Sequence, residues 1–125
     1  AASTVDIPSI CLSSGPMMNG YWKGERAGSG TIVWKARKLL ATGEIDEEEF
    51  IQIVVDATTS PGFCNTMGTA TTMNSLAEGL GMSLPGCAAI PAPLSERIEM
   101  SYKTGLRIVE MVKKDLTPSK ILTRK

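Results

Sequence analysis

The chain has 125 residues, with 13 basic and 13 acidic side chains, no histidine and three cysteines. This length fits one domain, and the balanced charge gives no electrostatic argument for binding nucleic acid or an anionic membrane. The absence of histidine excludes a Ser-His-Asp triad and histidine-ligated metal within the chain. No apolar run reaches the length that crosses a bilayer. An odd cysteine count with no Cys-x-x-Cys pair is a poor disulfide framework, so we expect a reducing, cytoplasmic compartment.

The first predicted element is a short strand over residues 7–13, where apolar and small polar side chains alternate. Gly15 and Pro16 follow this segment and end it. A single strand leaves its own backbone edges without partners. We therefore expect its sheet to be completed outside the chain, by the remainder of a longer protein or by a partner.

Five helical segments are predicted after this strand. They lie at residues 31–41, from Asp46 through the FIQIVV segment, at 66–80, at 95–114 and from Thr117-Pro118 onward. Asp46 and Glu49 have the spacing of a capping box. Because FIQIVV is apolar almost all round, we expect deep burial of that helix. The fold class is α/β, predominantly helical with one strand.

The longest of these predicted helices, residues 95–114, has an apolar stripe at helical spacing and a serine at its start. Ser95 is expected to be its N-cap. The side chains expected to face the core are Ile98, Tyr102, Leu106, Val109 and Val112.

Two long segments are almost free of charge. Residues 1–22 contain Asp6 as their one charged residue, and residues 57–95 contain Glu78. A surface that faces water normally carries Lys and Glu. We therefore expect both segments to be covered in the intact protein, and to be exposed where this chain stands alone.

Cys64 is the candidate functional residue, because it precedes the predicted start of the 66–80 helix. Free N–H groups and the helix dipole at such a position favour a thiolate, the reactive and metal-binding form. The alternative is a small buried residue in a loop. Cys11 and Cys87 are expected to pack as small hydrophobic side chains. Their spacing neither supports nor excludes one iron–sulfur cluster held by all three thiols.

Other motifs have structural interpretations. Gly24, Gly28 and Gly30 match neither a dinucleotide-binding nor a phosphate-binding motif, and we expect a flexible loop there. The acidic run 46–49 is interpreted as a helix start rather than a metal site. A solvated surface is expected for the basic residues near the end of the chain, Lys113, Lys114, Lys120, Arg124 and Lys125.

Long segments of the chain resemble the dihydroxy-acid/6-phosphogluconate dehydratase family. They are CLSSGPMMNG, GSGTIVWKARKLLATGEID, GFCNTMGTATTMNSLAEGLGMSLPGCAAIPAP and SYKTGLRIVEMVKKDLTPSKILTR, in family order. The run CNTMGTATTMN with AAIPAP is most similar to the sugar-acid branch, which acts on arabinonate or xylonate. The resemblance implies that residues 1–125 are an internal piece of one N-terminal, cofactor-binding α/β domain with no boundary inside it.

The resemblance implies an iron–sulfur and magnesium dependent dehydratase that converts a 2,3-dihydroxy sugar acid to a 2-keto-3-deoxy acid. Cys64 matches one of the family's three [2Fe-2S] cluster ligands, whereas Cys11 and Cys87 match none, which argues against the cluster of all three thiols. The other cluster ligands, the Mg²⁺ ligands and the catalytic serine of the family lie outside the chain. No catalytic residue is therefore expected here, and the chain alone is expected to be inactive.

Some residues depart from the family pattern, and they leave the exact sugar acid open. These are Ser14, Gly79, Leu94 and Ser95. One alternative is the dihydroxy-acid dehydratase of branched-chain amino-acid synthesis. Another is a non-enzymatic interaction domain whose Met- and Thr-rich faces dock a partner. For the whole enzyme we expect a homo-oligomer that binds a small-molecule sugar acid and neither nucleic acid nor membrane.

Overall fold

The computed structural model describes residues 1–124, and half of the chain is helical. The α-helices are α1 (Ala2–Val5), α2 (Ile32–Ala41), α3 (Glu47–Ala57), α4 (Thr69–Gly79), α5 (Ser95–Lys113) and α6 (Pro118–Ile121). Strands β1 (Gly20–Trp22) and β2 (Glu25–Ala27) form an antiparallel pair. A 3-10 turn spans Cys87–Ala89. The observed structure agrees with the α/β class and the high helical content that the sequence predicts.

The predicted strand at residues 7–13 is wrong, because the structure places no strand there. Cys11 instead bonds the loop after α4, donating its N–H to the Met82 carbonyl at 2.6 Å and accepting from the Ser83 hydroxyl at 2.9 Å. The observed sheet is a hairpin that turns at Lys23 and Gly24, both with positive φ. Three-residue strands are too short to show an alternating pattern. That a sheet is completed outside the chain stays a prediction.

The core lies between α2, α3 and the hairpin. Its buried residues are Ala27, Ile32, Ala36, Ile45, Ile53 and Ala57. The Asp46 cap is confirmed, since its carboxylate accepts from the Glu49 N–H at 2.8 Å. The Glu49 carboxylate pairs with Lys23 at 2.9 Å instead of closing the capping box. Deep burial of α3 is wrong, because Ile53 is fully buried but Ile51 and Val55 are exposed.

Helix α5 buries the face opposite to the predicted one. Ile98 is 74 % exposed and Tyr102 68 %, whereas Arg97, Thr104 and Met111 are buried. All five residues of the predicted stripe, here called the α5 apolar stripe, are exposed: Ile98, Tyr102, Leu106, Val109 and Val112. The orientation follows from Arg97, whose guanidinium bonds backbone carbonyls of two other segments. Ser95 is the first helical residue rather than the cap, a position that Leu94 occupies.

Helix α6 begins as predicted, with Thr117 at the cap and Pro118 in the first helical turn. Asp6 supplies the capping carboxylate, accepting from the Ser119 N–H at 2.9 Å and the Ser119 hydroxyl at 2.8 Å. The backbone hydrogen bond and then the hydroxyl lower the pKa of Asp6. This contact ties the beginning of the chain to its last helix.

The uncharged segments expose apolar side chains, as expected for this chain standing alone. Met67 is 72 % exposed, and Met73, Leu76 and Leu80 of α4 are also exposed. No residue of α4 is buried. These faces are surfaces that nothing in residues 1–124 covers.

The basic residues near the end of the chain lie at the surface. Lys114 pairs with Glu110 and Lys120 with Asp115, while Lys125 lies outside the described residues. No helix formed by residues 1–124 combines the length and apolarity that a bilayer span requires.

Candidate functional site

Cys64 lies half-buried in the segment between α3 and α4, residues 58–68, here called the Cys64 loop. Its thiol donates a hydrogen bond to the Thr66 carbonyl at 3.6 Å. Helix α4 begins at Thr69 rather than at residue 66. Cys64 lies in the loop that leads into this helix, as predicted. Support of its thiolate by the helix dipole stays a prediction.

The Cys64 loop is bonded on one side to residues 15–17. The Phe63 N–H donates to the Gly15 carbonyl at 3.1 Å, and the Phe63 carbonyl accepts from Met17 at 2.8 Å. Phe63 thereby forms a parallel bridge with Pro16. A Cβ at Gly62, where φ is 132°, would lie 2.5 Å from the Met17 nitrogen. This approach of two backbones requires glycine.

On the other side, two side chains of the Cys64 loop bind the loop that precedes α2. The Asn65 amide oxygen accepts from the Ser29 N–H at 2.7 Å, and the Thr66 hydroxyl accepts from the Gly30 N–H at 3.2 Å. The Asn65 amide also donates to the Met18 carbonyl at 2.9 Å. The glycine loop that we expected to be flexible is thus fixed to residues 65–66.

Sequence reasoning did not single out Asn65 or Thr66. The available signal was an amide and a hydroxyl side chain directly after a candidate thiol, residue types that bond neighbouring backbone.

Two clefts adjoin the Cys64 loop and share Asn65 as a wall. The larger, of about 330 Å³, is lined by Pro16, Met17, Met18, Met67, Ala89 and Pro91 among others. The second, of about 250 Å³, has Arg26 as its charged lining residue, with Thr31 and Thr66 beside it. Concave spaces of this size hold small molecules rather than macromolecules.

Cys87 is fully buried, as expected for a small packed side chain. Burial raises the pKa of its thiol, but hydrogen bonds from the Ser83 hydroxyl, the Ser13 backbone and Arg97 outweigh burial, so the pKa lies below its ordinary value. Its sulfur accepts from Arg97 at 3.4 Å. Cys11 is exposed, so its predicted packing is wrong. Cys11 lies instead on an exposed loop, and its backbone is hydrogen-bonded to Met82 and Ser83.

The three cysteines do not share a site. Among the described residues, no three His, Cys, Asp or Glu side chains are grouped to hold a metal ion. Glu78, the one charge of its segment, accepts from the Gly86 and Ala88 N–H groups at 2.6 and 2.9 Å. Those bonds, with Ala88 first, lower the pKa of Glu78. The geometry of residues 1–124 therefore does not bring the three thiols together, and the role of Cys64 as a ligand stays a prediction.

With this site in view, the class of protein follows from comparison with known families. Residues 1–125 match the N-terminal domain of the dihydroxy-acid/6-phosphogluconate dehydratases, and the chain belongs to that family. It is 57 % identical over 124 residues to the D-xylonate dehydratase of Caulobacter vibrioides, covering 99 % of this chain and 21 % of that protein.

Two further relatives carry different names. Identity is 52 % over 123 residues with the L-arabinonate dehydratase of Rhizobium leguminosarum, covering 98 % of this chain and 21 % of that protein. It is 46 % over 124 residues with the dihydroxy-acid dehydratase of Caldanaerobacter subterraneus, covering 99 % and 22 %. The chain spans about a fifth of the length of these relatives.

Proposed function

We propose that this chain is part of a dehydratase that removes water from a 2,3-dihydroxy sugar acid and leaves a 2-keto-3-deoxy acid. Membership of the family supports the reaction class. The substrate class rests on identity, which is 57 % and 52 % with relatives named for xylonate and arabinonate and 46 % with one named for dihydroxy acids. In the whole protein we place this chain in the cytoplasm and in a homo-oligomer.

We propose Cys64 as one thiolate ligand of a [2Fe-2S] cluster. The observation that carries this role is a half-buried thiol on a loop that is bonded on both sides and adjoins a cleft. Thiolates are the usual ligands of such clusters. The remaining cluster ligands and the ligands of a Mg²⁺ ion come from residues outside this chain. When bound, these groups supply Lewis acids for a departing hydroxide and for enolate-like charge.

The residues of this chain position the ligand and shape the space next to it. Phe63 and Asn65, the neighbours of Cys64, are bonded through backbone and side chain to separate segments, which fixes the thiol between them. Met17, Met18 and Met67 give the larger cleft an apolar wall. We assign no proton-transfer role to any of these side chains.

The test is an assay of the full-length protein, purified without oxygen and supplied with iron, sulfide and Mg²⁺. D-xylonate, L-arabinonate and 2,3-dihydroxy-isovalerate are offered separately, and formation of the 2-keto acid is measured. We expect product from a pentonate. Product from 2,3-dihydroxy-isovalerate alone would establish the dihydroxy-acid alternative, which the 46 % identical relative favours.

A non-enzymatic interaction domain is the alternative from another class, and the exposed α5 apolar stripe favours it. That alternative predicts no product from any of the three acids. It also predicts that the isolated chain folds cooperatively and retains a specific partner.

A further inference from the structure

Arg97 is a buried cation with no carboxylate partner. Its side chain lies in the first turn of α5, and the residue is 6 % exposed. None of the ion pairs formed within residues 1–124 includes it. Burying an unpaired charge is unfavourable unless hydrogen bonds replace its water. The guanidinium therefore needs hydrogen-bond acceptors among the residues around it.

The guanidinium joins two segments that are far apart in the sequence. It donates to the Ser13 carbonyl at 2.8 Å, to the Cys87 carbonyl at 2.7 Å and to the Ile90 carbonyl. The Cys87 sulfur accepts a further bond at 3.4 Å. A planar fork of five donors suits this arrangement, whereas a lysine ammonium is a compact point charge on a flexible stem.

Between these two segments, the chain makes an unusually close approach to itself. A Cβ at Gly15 would lie 2.5 Å from the Ile90 oxygen and 3.0 Å from the Arg97 Nε. That Nε is buried and has no hydrogen-bond partner among residues 1–124. The Pro16 carbonyl accepts from the Ala92 N–H at 2.8 Å. Arg97 therefore lies at the contact between residues 13–17 and residues 87–92, here called the seam, and bonds to both segments.

The same residues 15–17 hold the Cys64 loop on their other edge. The Gly15 carbonyl accepts from Phe63, and Met17 donates to the Phe63 carbonyl. A shift of residues 13–17 relative to residues 87–92 would therefore move the backbone that holds Cys64.

We infer that Arg97 is a positioning residue for Cys64, an inference that rests on the proposed function. The guanidinium fixes residues 13–17 against residues 87–92, and the Gly15–Phe63 pairing carries that position to the Cys64 thiol. Among the described residues, Arg97 forms no hydrogen bond with Cys64 or with a residue that lines the larger cleft, so it acts on Cys64 through the two segments that it joins.

The test compares Arg97→Lys and Arg97→Gln with Arg107→Lys in the full-length protein. Arg107 lies on the same helix and pairs with Glu110 at 2.7 Å, so its substitution changes an arginine at the surface. Amide hydrogen exchange is measured in iron-free protein, with the alkylation rate of Cys64. Iron content and visible circular dichroism are measured after reconstitution.

For both Arg97 variants, we expect exchange of the Phe63, Met17 and Ala92 amides to rise about tenfold or more, as follows from losing hydrogen bonds of a charged group. Cys64 is expected to alkylate faster, and the circular dichroism of the reconstituted cluster to change. Exchange in α2 and α3 should stay as in the unsubstituted protein. Arg107→Lys should change none of these quantities.

Two results would overturn the inference. One is unchanged exchange at Phe63 and Ala92, and the other is faster exchange throughout α2 and α3, which would make Arg97 a stabiliser of the whole fold. The exchange and alkylation measurements need no cluster. If Cys64→Ser kept the cluster while exchange behaved as expected, the proposed ligand would fail and the positioning of Cys64 by Arg97 would stand.

Discussion

The amide of Phe63, the residue before Cys64, donates a hydrogen bond of 3.1 Å to the carbonyl oxygen of Gly15. Gly15 makes this contact with φ at 88°, in the left-handed region that favours glycine. Its α-carbon faces the Ile90 oxygen and the Ala92 nitrogen, at distances that leave no room for a methyl group. Glycine at position 15 therefore allows residues 13–17 to lie against both the Cys64 loop and residues 87–92.

Gly15→Ala is expected to loosen this seam and to lower the cluster content of the full-length protein. The left-handed backbone costs an alanine about 1–2 kcal/mol, and the clash with Ile90 adds to that cost. Gly43→Ala is the matched control, since Gly43 has φ at 73° with no atom within 4 Å of its would-be Cβ. Thermal unfolding and iron content check the comparison. Equal losses in both variants would mean that backbone strain, and not the close approach, is responsible.

Glu78→Gln is expected to remove a pH-dependent contribution to local stability. The Glu78 pKa is lowered by its bonds to the Ala88 and Gly86 N–H groups. Because the folded pKa lies below the unfolded value of about 4.3, the contribution is present above that pH and is lost as pH falls through the folded pKa. The loss at pH 7 is expected to be about 1 kcal/mol.

Amide protection factors of Gly86 and Ala88, measured in full-length protein at several pH values, check this prediction. In the unsubstituted protein they should decline on acidification, and in Glu78→Gln they should be low throughout. Glu25→Gln removes an exposed carboxylate 3.9 Å from Lys35 and should leave them unchanged. An equal decline with pH in Glu78→Gln would contradict the assignment.

The α5 apolar stripe predicts that the isolated 125-residue chain self-associates. Its five large side chains are all more than half exposed, and contiguous apolar patches beyond a few hundred Å² are rare on monomers. Ile98→Lys with Val109→Glu should reduce association while circular dichroism shows unchanged helix. Lys103→Ala, on the charged side of α5, is the control. Sedimentation at several protein concentrations measures this association, and a monomer at every concentration would contradict the prediction.

Local signals in the sequence predicted the elements that depend on neighbouring residues. The Asp46 cap, the helix before it and the Thr117-Pro118 start of α6 are all observed. The hairpin escaped prediction because each strand has three residues. Helix α4 begins late, at Thr69, because Gly68 occupies its cap position.

Predictions from the sequence pattern were wrong where contacts between distant residues determine the structure. Apolar periodicity assigned Ile98 and Tyr102 to the core, but three backbone carbonyls bind Arg97 and turn that side of α5 inward. The importance of Asn65 likewise depends on Ser29 and Met18, which are distant in sequence. The position of Cys64 in a loop before a helix was predictable, whereas the bonds that fix this loop were not.

The most direct measurement is the iron and sulfide content, with visible absorption, of full-length Cys64→Ser and Cys11→Ser proteins reconstituted without oxygen. A neutral hydroxyl is a poor substitute for a thiolate ligand. Cys64→Ser is expected to lose the cluster absorption and nearly all dehydratase activity, whereas Cys11→Ser, which changes an exposed thiol, is expected to keep both. Cys87→Ser is also expected to keep the cluster. A cluster that persists in Cys64→Ser, or that disappears in Cys11→Ser instead, would contradict the proposed role of Cys64.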